Sequence, residues 1–142
     1  IVQGLALVTF PAASAVFTDP QGFGFSSTQY GTMFLPQVLM AILSSSLASR
    51  LAGRHGLKAV LLTGLAGNLL SMAMLAASAL LAGHPAAFPL VCLATGALGL
   101  GFGATVTALN SFGEAFFTER PDRAVLTLNA LLGVGTALAP LL

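Results

Sequence analysis

The sequence predicts an all-α membrane protein with about five transmembrane helices. Of its 142 residues, 56% are hydrophobic and only 6% are charged, whereas a soluble domain carries about a quarter charged residues. The apolar residues are gathered in long segments, and about 20 helical residues are needed to cross roughly 30 Å of hydrocarbon. The segments show no strand-like alternation and are rich in Ala, Leu and Gly, so β-strands are not expected.

Five apolar segments follow one another, separated by four short polar breaks. The predicted spans are 1–17, 27–49, 57–81, 86–116 and 124–142. Ser26 and Gln29 form a capping-box pattern at the start of the second span, and Pro36 predicts a kink within it. The chain begins and ends inside apolar runs, without an initial Met. We therefore expect the 142 residues to be one transmembrane fragment of a longer protein.

The basic residues indicate the orientation in the membrane. All five lie in two of the breaks, as Arg50, Arg54, Lys58, Arg120 and Arg123. The other two breaks contain Asp19 and His84 but no Lys or Arg. The positive-inside rule then predicts that loops 50–58 and 118–123 are cytoplasmic. We expect an integral protein of the plasma (inner) membrane.

Several function classes find no support in the sequence. A net charge of +1 does not indicate a nucleic-acid partner. The pattern Gly99-x-Gly101-x-Gly103 lies inside an apolar helix and lacks the spacing of a dinucleotide-binding motif. No metal-ligand cluster, phosphate loop or plausible Cys–His pair is present, so we predict no metal, no cofactor and no enzymatic activity. Lipid is the expected environment.

Small residues inside the spans favour close helix packing. Gly99 and Gly103 form a small-xxx-small pair, which lets two helix backbones approach each other. Gly133 and Gly135 in the fifth span have the same interpretation. The side-chain amides within the spans include Gln37, Asn68, Asn110 and Asn129. The simplest role for each of these amides is an interhelical hydrogen bond.

The stretch 49–58, SRLAGRHGLK, resembles the signature loop of the major facilitator superfamily, Gly-x-Leu-Ala-Asp-Arg-x-Gly-Arg-Lys/Arg, which also joins the second and third helices. The residues that agree are Leu51, Ala52, Arg54, Gly56 and Lys58; those that depart are Ser49, Gly53 and Leu57. The resemblance implies a cytoplasmic gating loop containing Arg54, Gly56 and Lys58. Gly53 replaces the acid of the family's latch, so the latch is weakened or made differently. The alternative is a basic membrane anchor with a tight turn.

A second resemblance covers the fourth and fifth spans. Residues 99–103, Asn110, 117–123, 128–129, 133–135 and 140–142 are similar in order and spacing to the corresponding helices of sugar-permease-like members, such as the fucose permease group. Segment 24–31 resembles their entry to helix two. In addition, 135–140 resembles the fifth-helix motif of drug antiporters, with Ala139 in place of Gly.

The resemblance implies the N-terminal half of a porter whose C-terminal half belongs to the same chain. In that superfamily helices one, two, four and five line the cavity and helix three is peripheral. Gln37, Asn110 and Asn129 are therefore the substrate-pathway candidates, whereas Asn68 is expected to pack. No carboxylate lies deep in any span, so no proton carrier is predicted in these residues.

We therefore expect a secondary active transporter or facilitator of small organic solutes, such as a sugar or related metabolite, that works by alternating access. One alternative is a drug or multidrug efflux porter of the same superfamily. A small dimeric exporter would need an acid in its first helix, and span one has none. A non-transporting membrane scaffold or sensor subunit would need large extramembrane domains elsewhere in the protein.

Overall fold

The computed structural model describes residues 1–138, and these residues form α-helices joined by short turns. The helices are α1 (Val2–Ala12), α2 (Ser14–Thr18), α3 (Ser27–Thr32), α4 (Leu35–His55), α5 (Leu57–Ala79), α6 (Ala87–Phe116) and α7 (Pro121–Leu138). No strand occurs among residues 1–138. The predicted all-α class is confirmed for this part of the chain.

Among the described residues, three helical segments are long and apolar enough to cross a membrane. They are Ser27–His55, which combines α3 and α4, together with Leu57–Ala79 and Ala87–Phe116. Val2–Thr18 is a shorter apolar helical segment. These properties are compatible with an integral membrane protein. The first and fifth predicted spans stay predictions, and residues 139–142 of the fifth lie outside the described part of the chain.

Helix α3 begins with the predicted capping box. Ser26 Oγ accepts a hydrogen bond from the backbone N–H of Gln29 at 3.2 Å, and Gln29 Oε1 accepts one from the N–H of Ser26 at 3.0 Å. The second span then breaks between Thr32 and Leu35 before it continues as α4. Pro36 has no N–H to donate to the carbonyl four residues earlier, so an unbroken helix would lose this bond.

The ends of α4 and α7 differ from the predicted spans. Residues 50–55 were expected in a loop, but they form the last turns of α4, which ends at His55. Residues 121–123 were also expected in a loop, and they form the first turn of α7. Charged side chains at helix ends reach water without ending the helix, because long Arg and Lys stems extend to the interface.

The first predicted span is divided into α1 and α2 at Ala13. Pro11 lies in the last turn of α1 and removes one backbone hydrogen bond there. An aromatic cluster holds this bend in place. Phe17 stacks on Phe10 with ring centroids 6.2 Å apart and on Phe25 with centroids 5.9 Å apart. These contacts pack the segment between α2 and α3 against α1 and α2.

Helix α6 lies at the centre of the bundle. It packs against both α4 and α5 along its length and also contacts α7. Its glycines make these approaches possible: a Cβ on Gly101 would lie 2.7 Å from the backbone nitrogen of Asn68 on α5. Helix α1 packs mainly against α7. This arrangement places α1, α6 and α7 around one small cavity.

Candidate functional site

A small cavity lies between α1, α6 and α7. Its volume is about 100 Å³, which is enough for at least one water molecule. Its lining residues are Ile1, Gln3, Val106, Leu109, Asn110, Leu128, Asn129, Leu131 and Leu132. Three residues with neutral amide side chains therefore line an otherwise apolar cavity. Two of them, Asn110 and Asn129, are among the three residues that the sequence predicted for the substrate pathway.

Gln3 is the member of the cavity that sequence reasoning missed. Its side chain is 8% exposed, and its Oε1 accepts a hydrogen bond from Nδ2 of Asn68. Its Nε2 is buried and has no partner among the described residues. A buried unpaired donor costs about 1–3 kcal/mol, so the bond to Asn68 leaves the hydrogen-bonding capacity of Gln3 only partly satisfied. The available signal was one amide inside the apolar run 1–8.

Asn68 connects this cavity to α5. Besides its bond to Gln3, its Oδ1 is buried without a partner among residues 1–138. A Cβ on Gly101 would lie 2.8 Å from Cγ of Asn68, so the glycine leaves room for the amide. One turn further along the same interface, Oγ1 of Thr105 is also buried without a partner in the described chain. Asn68 thus contacts a cavity amide, although it was expected only to pack.

The two predicted asparagines have different surroundings. Asn110 is half-buried on α6. Asn129 is exposed on α7, and its Nδ2 donates a 3.0 Å hydrogen bond to the carbonyl of Val125 in its own helix. The amide of Asn129 is therefore held against its helix by one donor. Both side chains carry donors and acceptors for hydrogen bonding, and neither carries charge.

Gln37 does not belong to this cavity. It lies on α4, where its backbone contacts α6 at Gly99, and its Oε1 is buried without a partner in the described residues. Gly99 and Asn110 are separated by about 16 Å along α6 at 1.5 Å per residue. The structure therefore brings together Asn110 and Asn129 but leaves Gln37 at a separate position on the α4–α6 interface.

The predicted gating loop is reduced to one residue, Gly56, between α4 and α5. Its φ of 83° and ψ of 159° lie in a region that is essentially restricted to glycine. Arg54 and Lys58 are exposed on either side of this turn. Gly53, at the position of the acid in the signature loop that this stretch resembles, is also exposed and has no described atom within 4 Å of a built Cβ.

The predicted packing glycines fall into two groups. Gly99 and Gly103 face α4, where a Cβ on Gly99 would lie 2.8 Å from the carbonyl carbon of Gln37. Gly135 contacts Ile1 and Gly4 near the α1–α7 crossing. Gly133 is exposed and has open space around it within the described residues, so its packing role stays a prediction.

Ala139 and Pro140, which carry the drug-antiporter likeness, lie outside the described residues. Comparison of the chain with protein-family models, with curated protein sequences and with solved structures gave no match. The candidate site is therefore defined by its own geometry. Its chemistry is hydrogen bonding by neutral amides within an apolar wall.

Proposed function

We propose that this chain forms part of a transporter for small, neutral, hydrogen-bonding solutes, and that it represents the N-terminal half of a major-facilitator-type porter. The observation that carries the proposal is the cavity between α1, α6 and α7, which Gln3, Asn110 and Asn129 line. Polar groups within apolar helices are costly unless they are paired or face a water-filled cavity. A solute pathway would give these amides polar partners and so would offset this cost.

The helix contacts support a porter built from inverted repeats. A repeat of three helices, as in each half of these porters, relates span one to span four and span two to span five. The contact between spans one and five then corresponds to the contact between spans four and two. Both contacts are close glycine crossings, with Gly4 against Gly135 in the first and Gly99 against Gln37 in the second.

The chemistry of the cavity favours an uncharged solute. Each amide offers two N–H donors and one carbonyl acceptor, which suits the hydroxyl groups of a sugar or polyol. No acidic or basic side chain lines the cavity among the described residues, so a charged solute would lack a counter-ion there. The solute would move by alternating access, with a second half of the protein completing its site.

The basic turn suits a cytoplasmic gate in this scheme. Exposed Arg54 and Lys58 flank Gly56, and positive charge at this end agrees with a cytoplasmic orientation. The turn is short and held by a bond from the Gly56 N–H to the Ala52 carbonyl of 2.8 Å. A rigid turn of this kind would move together with α4 and α5 during opening.

The test is uptake by the full-length protein in proteoliposomes, with labelled sugars, polyols, amino acids and lipophilic cations. We expect saturable uptake of a neutral polyhydroxy solute. Asn110→Ala and Asn129→Ala should each raise KM roughly two- to tenfold, since one lost hydrogen bond contributes about 0.5–1.5 kcal/mol. Ser46→Ala is the matched control, because its hydroxyl is exposed and bonds only within α4; its KM should be unchanged.

Other outcomes would lead to a different function. Transport of lipophilic cations, unaffected by the asparagine variants, would favour the drug efflux porter. Absence of uptake for every class, in protein that is folded by circular dichroism and gel filtration, would contradict transport. The non-transporting scaffold would then be the better hypothesis.

A further inference from the structure

An apolar crevice lies at the opposite end of the α6–α7 pair from the aromatic cluster. It occupies about 550 Å³ between the last turns of α6 and the first turns of α7. Phe112, Phe116 and Leu128 contribute to its walls, and Arg120 and Arg123 also line it. The volume falls within the range of about 300–1,000 Å³ that is typical of small-molecule sites.

The charge of the crevice has one sign. Two arginine residues contribute to its lining, and no acidic residue does so among the described residues. Glu119 lines a separate neighbouring cavity together with Arg120. The planar guanidinium fork of arginine binds phosphate oxygens in a bidentate manner. The crevice therefore combines apolar side chains, which can contact an acyl chain, with two arginines, which can bind a phosphate group.

The aromatic side chains of this region are unusually exposed. Phe116 and Phe117 are 75% and 61% exposed, and the ring of Phe116 stacks on that of Phe112 with centroids 5.8 Å apart. These rings lie next to the charged segment 118–123. Lipid at this depth would offer both an acyl chain and a headgroup to the crevice.

We propose that this crevice binds one anionic phospholipid, with its acyl chain along the α6–α7 wall and its phosphate on Arg120 and Arg123. The occupant is a lipid rather than a soluble anion, because most of the lining is apolar. Basic pockets between helices at the cytoplasmic surface recognise anionic headgroups in this way. The proposal concerns a site separate from the amide cavity and does not depend on transport.

The test uses the full-length protein in nanodiscs of phosphatidylcholine with increasing phosphatidylglycerol. Native mass spectrometry counts the retained phosphatidylglycerol molecules, and a photoreactive acyl chain locates the contact by peptide mapping. We expect one retained anionic lipid, with crosslinks to α6 and α7 near Phe112 and Leu128. The double variant Arg120→Gln/Arg123→Gln should weaken retention by roughly tenfold, since each basic residue near the surface contributes to anionic-lipid attraction.

Arg50→Gln/Arg54→Gln is the matched control, because it removes two exposed arginines from the C-terminal end of α4, beside the other basic turn. This variant should retain the lipid. Equal loss in both double variants would show a general surface attraction and overturn the proposal. Crosslinks confined to other helices, or no retained lipid in the unaltered protein, would also overturn it. Displacement of the lipid by inorganic phosphate alone would show a soluble-anion site instead.

Discussion

Nδ2 of Asn68 on α5 donates a hydrogen bond to Oε1 of Gln3 on α1, and the two residues are 65 positions apart in the chain. The bond brings an amide of the third predicted span to an amide of the first. Each residue keeps one further buried polar atom without a partner in the described chain, Nε2 of Gln3 and Oδ1 of Asn68. The pair therefore links α1 to α5 while one amide donor and one amide acceptor remain without a hydrogen-bond partner in the described chain.

A double-mutant cycle of Gln3→Leu and Asn68→Leu should measure this contact. Each single variant should lose about 1–2 kcal/mol of stability, because it leaves a buried amide without its partner. The double variant should lose less than the sum, with a coupling of about 0.6 kcal/mol, the average for such bonds in membranes. Chemical unfolding in mixed micelles measures these free energies.

The control for this cycle pairs Gln3→Leu with Ser46→Ala on the exposed side of α4. These two changes should be additive, since distant sites that share no partner act independently. Additivity of Gln3→Leu and Asn68→Leu as well would contradict the hydrogen bond.

Gly99→Ala should destabilise the α4–α6 crossing. The new Cβ would lie 2.8 and 2.9 Å from the carbonyl carbon and Cα of Gln37, and backbone atoms cannot move aside without shifting a helix. We expect a loss of about 1–3 kcal/mol, as for other overpacked interiors. Gly133→Ala is the control: its Cβ meets open space, and alanine favours a helix over glycine by about 0.5–1 kcal/mol.

Thermal unfolding of the two variants in the same detergent gives the comparison. A stability of Gly99→Ala equal to or above that of Gly133→Ala would show that α4 and α6 do not approach each other as closely as described.

Gly56→Ala should strain the turn between α4 and α5. At a φ of 83° and ψ of 159°, a residue with a Cβ is disfavoured by about 1–3 kcal/mol. Gly53→Ala, three residues earlier in α4, has open space around its Cβ and should be neutral or slightly stabilising. Unfolding free energies of both variants check the difference. Similar values for the two would mean that Gly56 adopts an ordinary helical conformation.

Ser44→Ala should weaken the α4–α6 contact, whereas Ser46→Ala should not. Ser44 Oγ donates a 2.8 Å hydrogen bond to the carbonyl of Leu100 on α6, and interhelical bonds of this kind contribute about 0.6 kcal/mol. Ser46 Oγ donates to the carbonyl of Ile42 within α4. Hydrogen exchange of α4 amides should therefore quicken in Ser44→Ala only. Equal exchange in both variants would argue against the Ser44–Leu100 bond.

Much of the secondary structure was predictable because its signals are local. Gly56 and the break Gly83-His84-Pro85 delimit the third predicted span, and α5 runs from Leu57 to Ala79 within it. The capping box at Ser26 involves only neighbouring residues. The interruptions at Ala13 and before Leu35 were less evident, because proline disturbs a helix within about one turn and not at a fixed residue.

The candidate site was predictable only in part. Asn110 and Asn129 were recognised as polar residues inside apolar spans, and they line one cavity with Gln3. Gln37 was recognised by the same criterion but lies elsewhere, opposite Gly99. Polarity in an apolar run indicates that a side chain needs a partner, yet the identity of that partner depends on which helix faces it.

The sequence by itself determined the class of the protein: apolar helices of membrane-spanning length, their approximate limits and the placement of basic charge. These properties follow from hydropathy, propensity and capping, which act over a few residues. The tertiary structure decided which glycines are packed and which amides meet. Gly99 and Gly133 have the same side chain, but within residues 1–138 only Gly99 faces a neighbouring backbone. Such differences arise from contacts between helices that are distant in the chain.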